Sequence, residues 1–286
     1  MVRIVTLLLL QLFVQSAFAQ KNPAYQIFNN KGQKVSYKKW VKKLKKSDIV
    51  LFGEQHDNPI AHWLQLELAN SLNEEREMLM GAEMIETDDQ PHLNKYLEGK
   101  IDQKGLDTLA RLWRNYHTDY APLVDFAKSN QILFIGTNVP RRYASMVYRG
   151  GFEALDTLSD EDKKWIAPLP IAYDPNLPGY QKMLEMGGVH GGDNLPKAQA
   201  IKDATMAYSI HHQYIEGRLF LHFNGAYHSD HYEGILWYLE RLNPDRNIKT
   251  ISTVSQSQIS RLDDEHKHKA DFIICVPDNM TKTYKN

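Results

Sequence analysis

Cysteine is nearly missing from this chain: there is one in 286 residues. Cys275 therefore excludes an intrachain disulfide and any cysteine-based metal cluster, and its place inside FIICV predicts a buried thiol. Charge of one sign is missing too. Thirty-four Lys and Arg stand against 35 Asp and Glu, so nothing calls for nucleic acid as a partner. No Gly-x-Ser-x-Gly elbow is present, and no glycine-flanked turn supports Ser229 as a nucleophile. The glycine cluster GGVHGGD, residues 187–193, neither follows a strand nor opens a helix, which argues against a phosphate loop.

Long apolar runs are also scarce. Arg3, the run IVTLLLLQLFV and the small residues Ser16, Ala17 and Ala19 describe a secretory signal peptide over residues 1–19, cut before Gln20. The run is short for a membrane span. No cysteine lies near the cut, so a lipid-attachment site is not expected. The expected product is exported, periplasmic or in the cell envelope. Loss of Arg3 takes the formal charge from −1 to −2.

What is present is an alternation of short apolar strands and helical patterns. Strands are expected at Asp48–Gly53, Met78–Met84, Ile132–Asn138, Leu219–Phe223, Ile248–Val254 and Phe272–Val276, after a hairpin at Tyr25–Phe28 and Gln33–Ser36. Helices are expected at Pro59–Glu75, Gln90–Leu97, Leu106–Lys128, Arg142–Gly150, Lys197–Glu216 and His231–Leu242. Within KVSYKKWVKKLKK, residues 34–46, Ser36 suits a helix cap, with Trp40, Val41 and Leu44 facing inward. Its seven lysines read as a solvated face, with an anionic membrane surface as the alternative. The pattern predicts an α/β fold: a largely parallel central sheet with helices on both faces, in a single domain over residues 20–286. Residues 151–196, rich in proline and glycine, read as an irregular insertion or lid.

Ionisable residues collect where these strands end. The first runs into Gly53-Glu54-Gln55-His56-Asp57 and the second into Glu83-Met84-Ile85-Glu86. The third runs into Asn138-Val139-Pro140-Arg141-Arg142 and the fourth into Asn224-Gly225-Ala226-Tyr227-His228-Ser229-Asp230-His231. Open parallel sheets bind ligands in the crevice outside the carboxyl ends of their strands. Two of these ends share Gly-x-x-His, at Gly53–His56 and Gly225–His228. His56, His228 and Glu83 would give two nitrogens and one oxygen around an open divalent-metal position able to activate water. Alternatively, Glu54 or Glu86 serves as a general base beside a histidine. Arg141 and Arg142 suit a carboxylate, including a haem propionate, or an ion pair with Glu83 or Glu86. In WRNYHTDYAPL, Trp113, Tyr116 and Tyr120 have the spacing of packing residues, although a tyrosinate also ligates ferric haem.

The segments LFGEQHDNPIAHWLQ, GAEMIETDDQPHLNKYLEGKI, WRNYHTDYAPLVDFA, IGTNVPRRYASMV, LPKAQAIKDATMA and FNGAYHSDHYEGILWYL, in this order, resemble the ChaN-type haem-binding proteins associated with iron uptake. The likeness runs from about Tyr25 to Val254. That family is similar in turn to a wider group containing Tiki-type metalloproteases and erythromycin esterases. The resemblance implies haem or iron binding in a homodimer, with the ligand near the subunit interface and outer-membrane uptake machinery as a partner. From the wider group it implies His56, Glu83 and His228 as a metal or catalytic centre, with Glu54, Arg141 and Asp203 at motif positions around them. Tyr120 and His190 are the candidate haem ligands, and Arg142, Glu86 and His231 stand beside the same crevice. A metal-dependent hydrolase is the alternative to haem acquisition. The chain lacks the lipid-attachment cysteine common among ChaN-type proteins.

Overall fold

The computed structural model describes residues 23–284, so the signal-peptide reading of residues 1–19 lies outside the described residues. One eight-stranded sheet organises the chain, in the order β2-β1-β8-β7-β3-β6-β4-β5. The strands are β1 (Gln26–Asn29), β2 (Lys34–Val35), β3 (Ile49–Glu54), β4 (Met78–Glu86), β5 (Phe134–Asn138), β6 (Leu219–Gly225), β7 (Ile248–Gln256) and β8 (Phe272–Pro277). Strands β3 to β8 pair in parallel, whereas β1 runs antiparallel to β2 and β8. The expected α/β fold with a largely parallel sheet is what the chain adopts.

The helices are α1 (Tyr37–Leu44), α2 (Pro59–Asn73), α3 (Gln90–Leu97), α4 (Gln103–Leu109), α5 (Ala121–Ser129), α6 (Arg141–Gly150), α7 (Asp160–Lys163), α8 (Pro178–Gly191), α9 (Leu195–Gln213) and α10 (Ile235–Leu242). Successive residues of a strand point to opposite faces of the sheet. In β3, Val50 and Phe52 pack with α1, α2, α3 and α5, while Ile49 and Leu51 pack with α6, α9 and α10. Every residue of β3 is buried, which is why the central strand reads as one apolar run.

Local chemistry fixes the helix starts. Ser36 accepts the Lys39 N–H ahead of α1, whose Trp40, Val41 and Leu44 are buried. Asn58 accepts the N–H groups of Ile60 and Ala61, and Pro59 follows at a position that needs no donor.

Two expectations need correction. Leu106–Lys128 is not one helix. Arg111 turns its N–H to the Asp89 carboxylate at 3.0 Å, and a π-helical turn spans Tyr116–Tyr120 before α5. Polar partners elsewhere in the fold override the local helical period. Residues 187–191 are helical rather than loop, being the end of α8. Segment 151–196 thus holds α7 and α8. Tyr227 donates its hydroxyl to Gly179 O at 2.8 Å, and Glu233 accepts the Gly179 N–H at 2.7 Å, which pins the start of α8 beside the end of β6.

Candidate functional site

At the carboxyl end of β3, Glu54 is buried and saturated with hydrogen bonds. Its Oε1 accepts the Tyr120 hydroxyl at 2.7 Å and faces His56 Nδ1 at 2.8 Å. Its Oε2 accepts the Gln65 amide at 2.5 Å. A buried carboxylate is tolerated when it is paired in this way. Burial, then the Glu54 charge, push the Tyr120 hydroxyl far above its ordinary pKa, so it remains a neutral donor. Burial disfavours charge on His56, but the Glu54 hydrogen bond and the Glu83 charge outweigh it and raise the imidazole pKa. His56 Nε2 has no hydrogen-bond partner among the described residues, and the Trp113 ring stands edge-on at 5.0 Å.

A second cluster joins β4, β6 and α9. Glu83 Oε2 accepts the Gly225 N–H at 2.7 Å, and its Oε1 lies 3.1 Å from His228 Nε2. The other ring nitrogen of His228 lies 2.5 Å from Asp203 Oδ1. Gln199, one helical turn before Asp203, brings its amide to 2.8 Å from the same nitrogen. Burial opposes charge on His228, yet the two carboxylates overcome it and lift its pKa to about 10. Burial raises Glu83 as well, but the His228 charge and hydrogen bond hold it well below the usual carboxylate range. Burial pushes Asp203 up. The two carboxylates thus favour the imidazolium form of His228.

The two Gly-x-x-His motifs make room for each other. A β-carbon on Gly53 would lie 2.7 Å from Ile251 O and 2.9 Å from Ala226 Cα, the residue after Gly225. A β-carbon on Gly225 would lie 2.7 Å from His56 Nε2. Each glycine permits a close approach that any side chain would block.

The structure brings Glu54, His56, Glu83, Asp203 and His228 to one sheet edge, with an open cavity of about 460 Å³ beside them. Met183 of α8 and Val254 contribute apolar lining. The ligand atoms of the expected metal set, His56, Glu83 and His228, do not all lie within 4.8 Å of one another. Among the described residues, the one group of three ligand atoms within 4.8 Å of one another is Glu86, Asp88 and Asp89, which Arg111 and Arg142 hold in ion pairs.

The remaining predicted residues lie around this centre. Glu86 pairs with Arg111 at 2.9 Å, which corrects the expected pair with Arg141 or Arg142. Arg142 goes to Asp88 at 2.5 Å. Arg141 is exposed, makes no ion pair within 4 Å among the described residues, and lines a pocket of about 500 Å³ with Trp113 and Arg114. Tyr120 is spent on Glu54 rather than offered to a ligand. His231 is exposed at a φ of 60° outside the cavity, its N–H donating to Lys269 O, because the chain turns outward after Ser229. His190 lies on α8, and its side chain falls outside the described residues.

Sequence reasoning missed His62, Gln65, Asn115 and Gln199. His62 and Gln65 are polar breaks in the Leu64, Leu68 and Leu72 stripe of α2. Gln199 and Asp203 share one face of α9 by their spacing. Asn115 donates to Asp119 at 2.7 Å and to His56 O at 3.3 Å, a role that only the tertiary fold reveals.

The model of the family described as "Haem-binding uptake, Tiki superfamily, ChaN" matches residues 40–239. No curated protein matches the chain at a significant level. Among solved structures, cofacial haem-bound ChaN of Campylobacter jejuni is similar with a TM-score of 0.67 at 19% identity, covering 89% of this chain and 98% of that one. The type III effector HopBA1 is similar with a TM-score of 0.53 at 15% identity, covering 91% and 100%. An erythromycin esterase variant in its open conformation is similar with a TM-score of 0.51 at 10% identity, covering 89% and 98%. At these identities the likeness to the solved structures is one of fold.

Proposed function

The chain belongs to the ChaN family of haem-binding uptake proteins in the Tiki superfamily, and from that membership we propose that it binds haem at the crevice beside His56 and serves haem or iron acquisition outside the cytoplasm. One observation carries the reading: His56 has Nδ1 anchored on Glu54 and Nε2 without a hydrogen-bond partner among the described residues. A carboxylate behind an imidazole fixes its tautomer and orientation and raises its basicity toward a metal.

The residues present fit haem. His56 offers the open nitrogen, and Met183 and Val254 offer apolar surface for the macrocycle. Arg141, which makes no ion pair within 4 Å among the described residues, suits a propionate. Haem supplies the iron when bound; this chain supplies orientation through Glu54, Gln65 and Tyr120. The cavity is open rather than enclosing, which supports a homodimer in which a second copy covers the exposed ligand. The N-terminal basic and apolar segment supports export, and outer-membrane uptake machinery is the corresponding partner.

The test is an absorbance titration of signal-free protein with haem, after its bound metals have been quantified. The expected result is a saturable Soret shift that His56→Ala weakens strongly. Absence of any saturable shift overturns the reading.

A second reading rests on the Glu83–His228–Asp203 cluster. Titratable groups whose environments push their pKa values apart mark acid and base roles. The Glu54–His56 pair, with Nε2 facing the crevice, as base describes a hydrolase in which the buried Glu83–His228–Asp203 cluster holds the Gly225 backbone beside it. Its substrate class is an ester or amide small enough for the crevice. Hydrolysis of a panel of such substrates, lost in both His56→Ala and His228→Ala, supports this reading. No turnover across the panel removes it.

A further inference from the structure

From a groove at the opposite edge of the sheet, we infer a second binding site, for a multiply charged phosphate-bearing anion. A cavity of about 750 Å³ lies where the parallel strands begin, between α1 and the starts of β7 and β8. Lys39, Lys42, Lys43 and Lys46 form one wall. Lys39, Lys42 and Lys43 share one helical face at i, i+3 and i+4, because Trp40, Val41 and Leu44 take the inward face, and Lys46 follows in the turn after α1. Lys249 and Phe272, at the starts of β7 and β8, also line the cavity.

The charges in this groove are not balanced from within. None of Lys39, Lys42, Lys43 and Lys46 has a carboxylate within 4 Å among the described residues. Lys45, facing away, takes Glu75 instead. Asp271 is the one acid lining the groove, and it is occupied by Lys249 at 2.8 Å and by the N–H of Thr250 at 3.0 Å. Lys43 sits 5.7 Å over the Phe272 ring. Like charges held three and four residues apart on a helix repel one another, so the arrangement is stabilised when an anion enters.

Ammonium groups bind phosphate as mobile point charges, and several of them around one cleft favour a ligand with several negative oxygens over a single carboxylate. Asn29, Asn30 and Asn247 also line the groove. This site shares no residue with the crevice at the other end of the sheet.

The test uses two probes on the full signal-free chain: tripolyphosphate, followed by calorimetry, and vesicles containing phosphatidylglycerol, followed by co-sedimentation. The variant is Lys39→Gln/Lys43→Gln/Lys46→Gln, whose exposed positions and helix-compatible side chains leave the fold intact, as circular dichroism and thermal melting will verify. The expected result is saturable binding that falls at least tenfold in the triple variant and weakens steeply with salt. Binding to tripolyphosphate assigns the site to a soluble phosphate ligand. Binding to vesicles alone assigns it to a lipid headgroup. Binding to neither probe, or binding unchanged in the triple variant, overturns the inference.

Discussion

Gly225 and His56 stand so close that a β-carbon on the first would lie 2.7 Å from Nε2 of the second. The histidine cannot easily retreat, since Nδ1 is held by Glu54 and the Trp113 ring flanks it. Gly225→Ala should therefore push the ring off its Glu54 contact, at a cost of about 1–3 kcal/mol. In the histidine NMR spectrum, the His56 pKa should fall back toward 6.5 as its carboxylate partner is lost. An unchanged His56 titration would mean the ring has room that the structure denies it.

Tyr120 separates two roles for one residue. Tyr120→Phe removes the hydroxyl that donates to Glu54 and leaves the ring packed against His62 and Trp113. Loss of a hydrogen bond to a buried charge costs about 1.5–3 kcal/mol. Chemical denaturation should show that loss, while the position of the haem Soret band stays put. A displaced band with unchanged stability would make Tyr120 an iron ligand instead.

These two residues also show what the sequence reveals and what it hides. Glu54 at the end of β3, Glu83 near the end of β4 and His228 just after β6 are legible because a buried strand has no reason to run into charge unless it runs into a site. The α/β alternation is legible for the same kind of reason, since period two and period 3.6 differ plainly. Tyr120 is not legible. Its spacing from Trp113 and Tyr116 looks helical, yet Arg111 and Asn115 find partners on other elements and break the helix between them. Arg111 in turn takes Glu86, the acid expected for Arg141 or Arg142. Such swaps depend on which side chain reaches furthest across a folded edge, and one-dimensional spacing holds no record of that.

Arg141 and Arg111 should part company under mutation. Arg141 makes no ion pair among the described residues, so Arg141→Ala should leave stability within about 0.5 kcal/mol. Haem affinity should nevertheless fall severalfold if this guanidinium holds a propionate. Arg111→Ala should lower the melting temperature, because Glu86, Asp88 and Asp89 lose the cation that binds them together. Calorimetric melting and haem titration of both variants check the pair. Equal losses of stability in the two would show that Arg141 is structural.

His228 makes stability depend on pH in a predictable direction. Its folded pKa of about 10 lies above the ordinary 6.5, since Glu83 and Asp203 favour the imidazolium. The folded state therefore binds the proton more tightly than the unfolded state does. That stabilisation is complete below pH 6.5 and drains away as pH rises toward 10, by at most about 1.4 kcal/mol per pH unit. His228→Gln removes the titrating group but keeps a polar side chain. Lysines and tyrosines that titrate in the same window are common to both proteins, so the difference between them isolates His228. Urea unfolding at pH 6, 8 and 10 should show the advantage of the native chain over the variant shrinking at each step. A difference that stays constant across that range would mean that His228 is neutral in the fold, with one ring nitrogen then available as an acceptor.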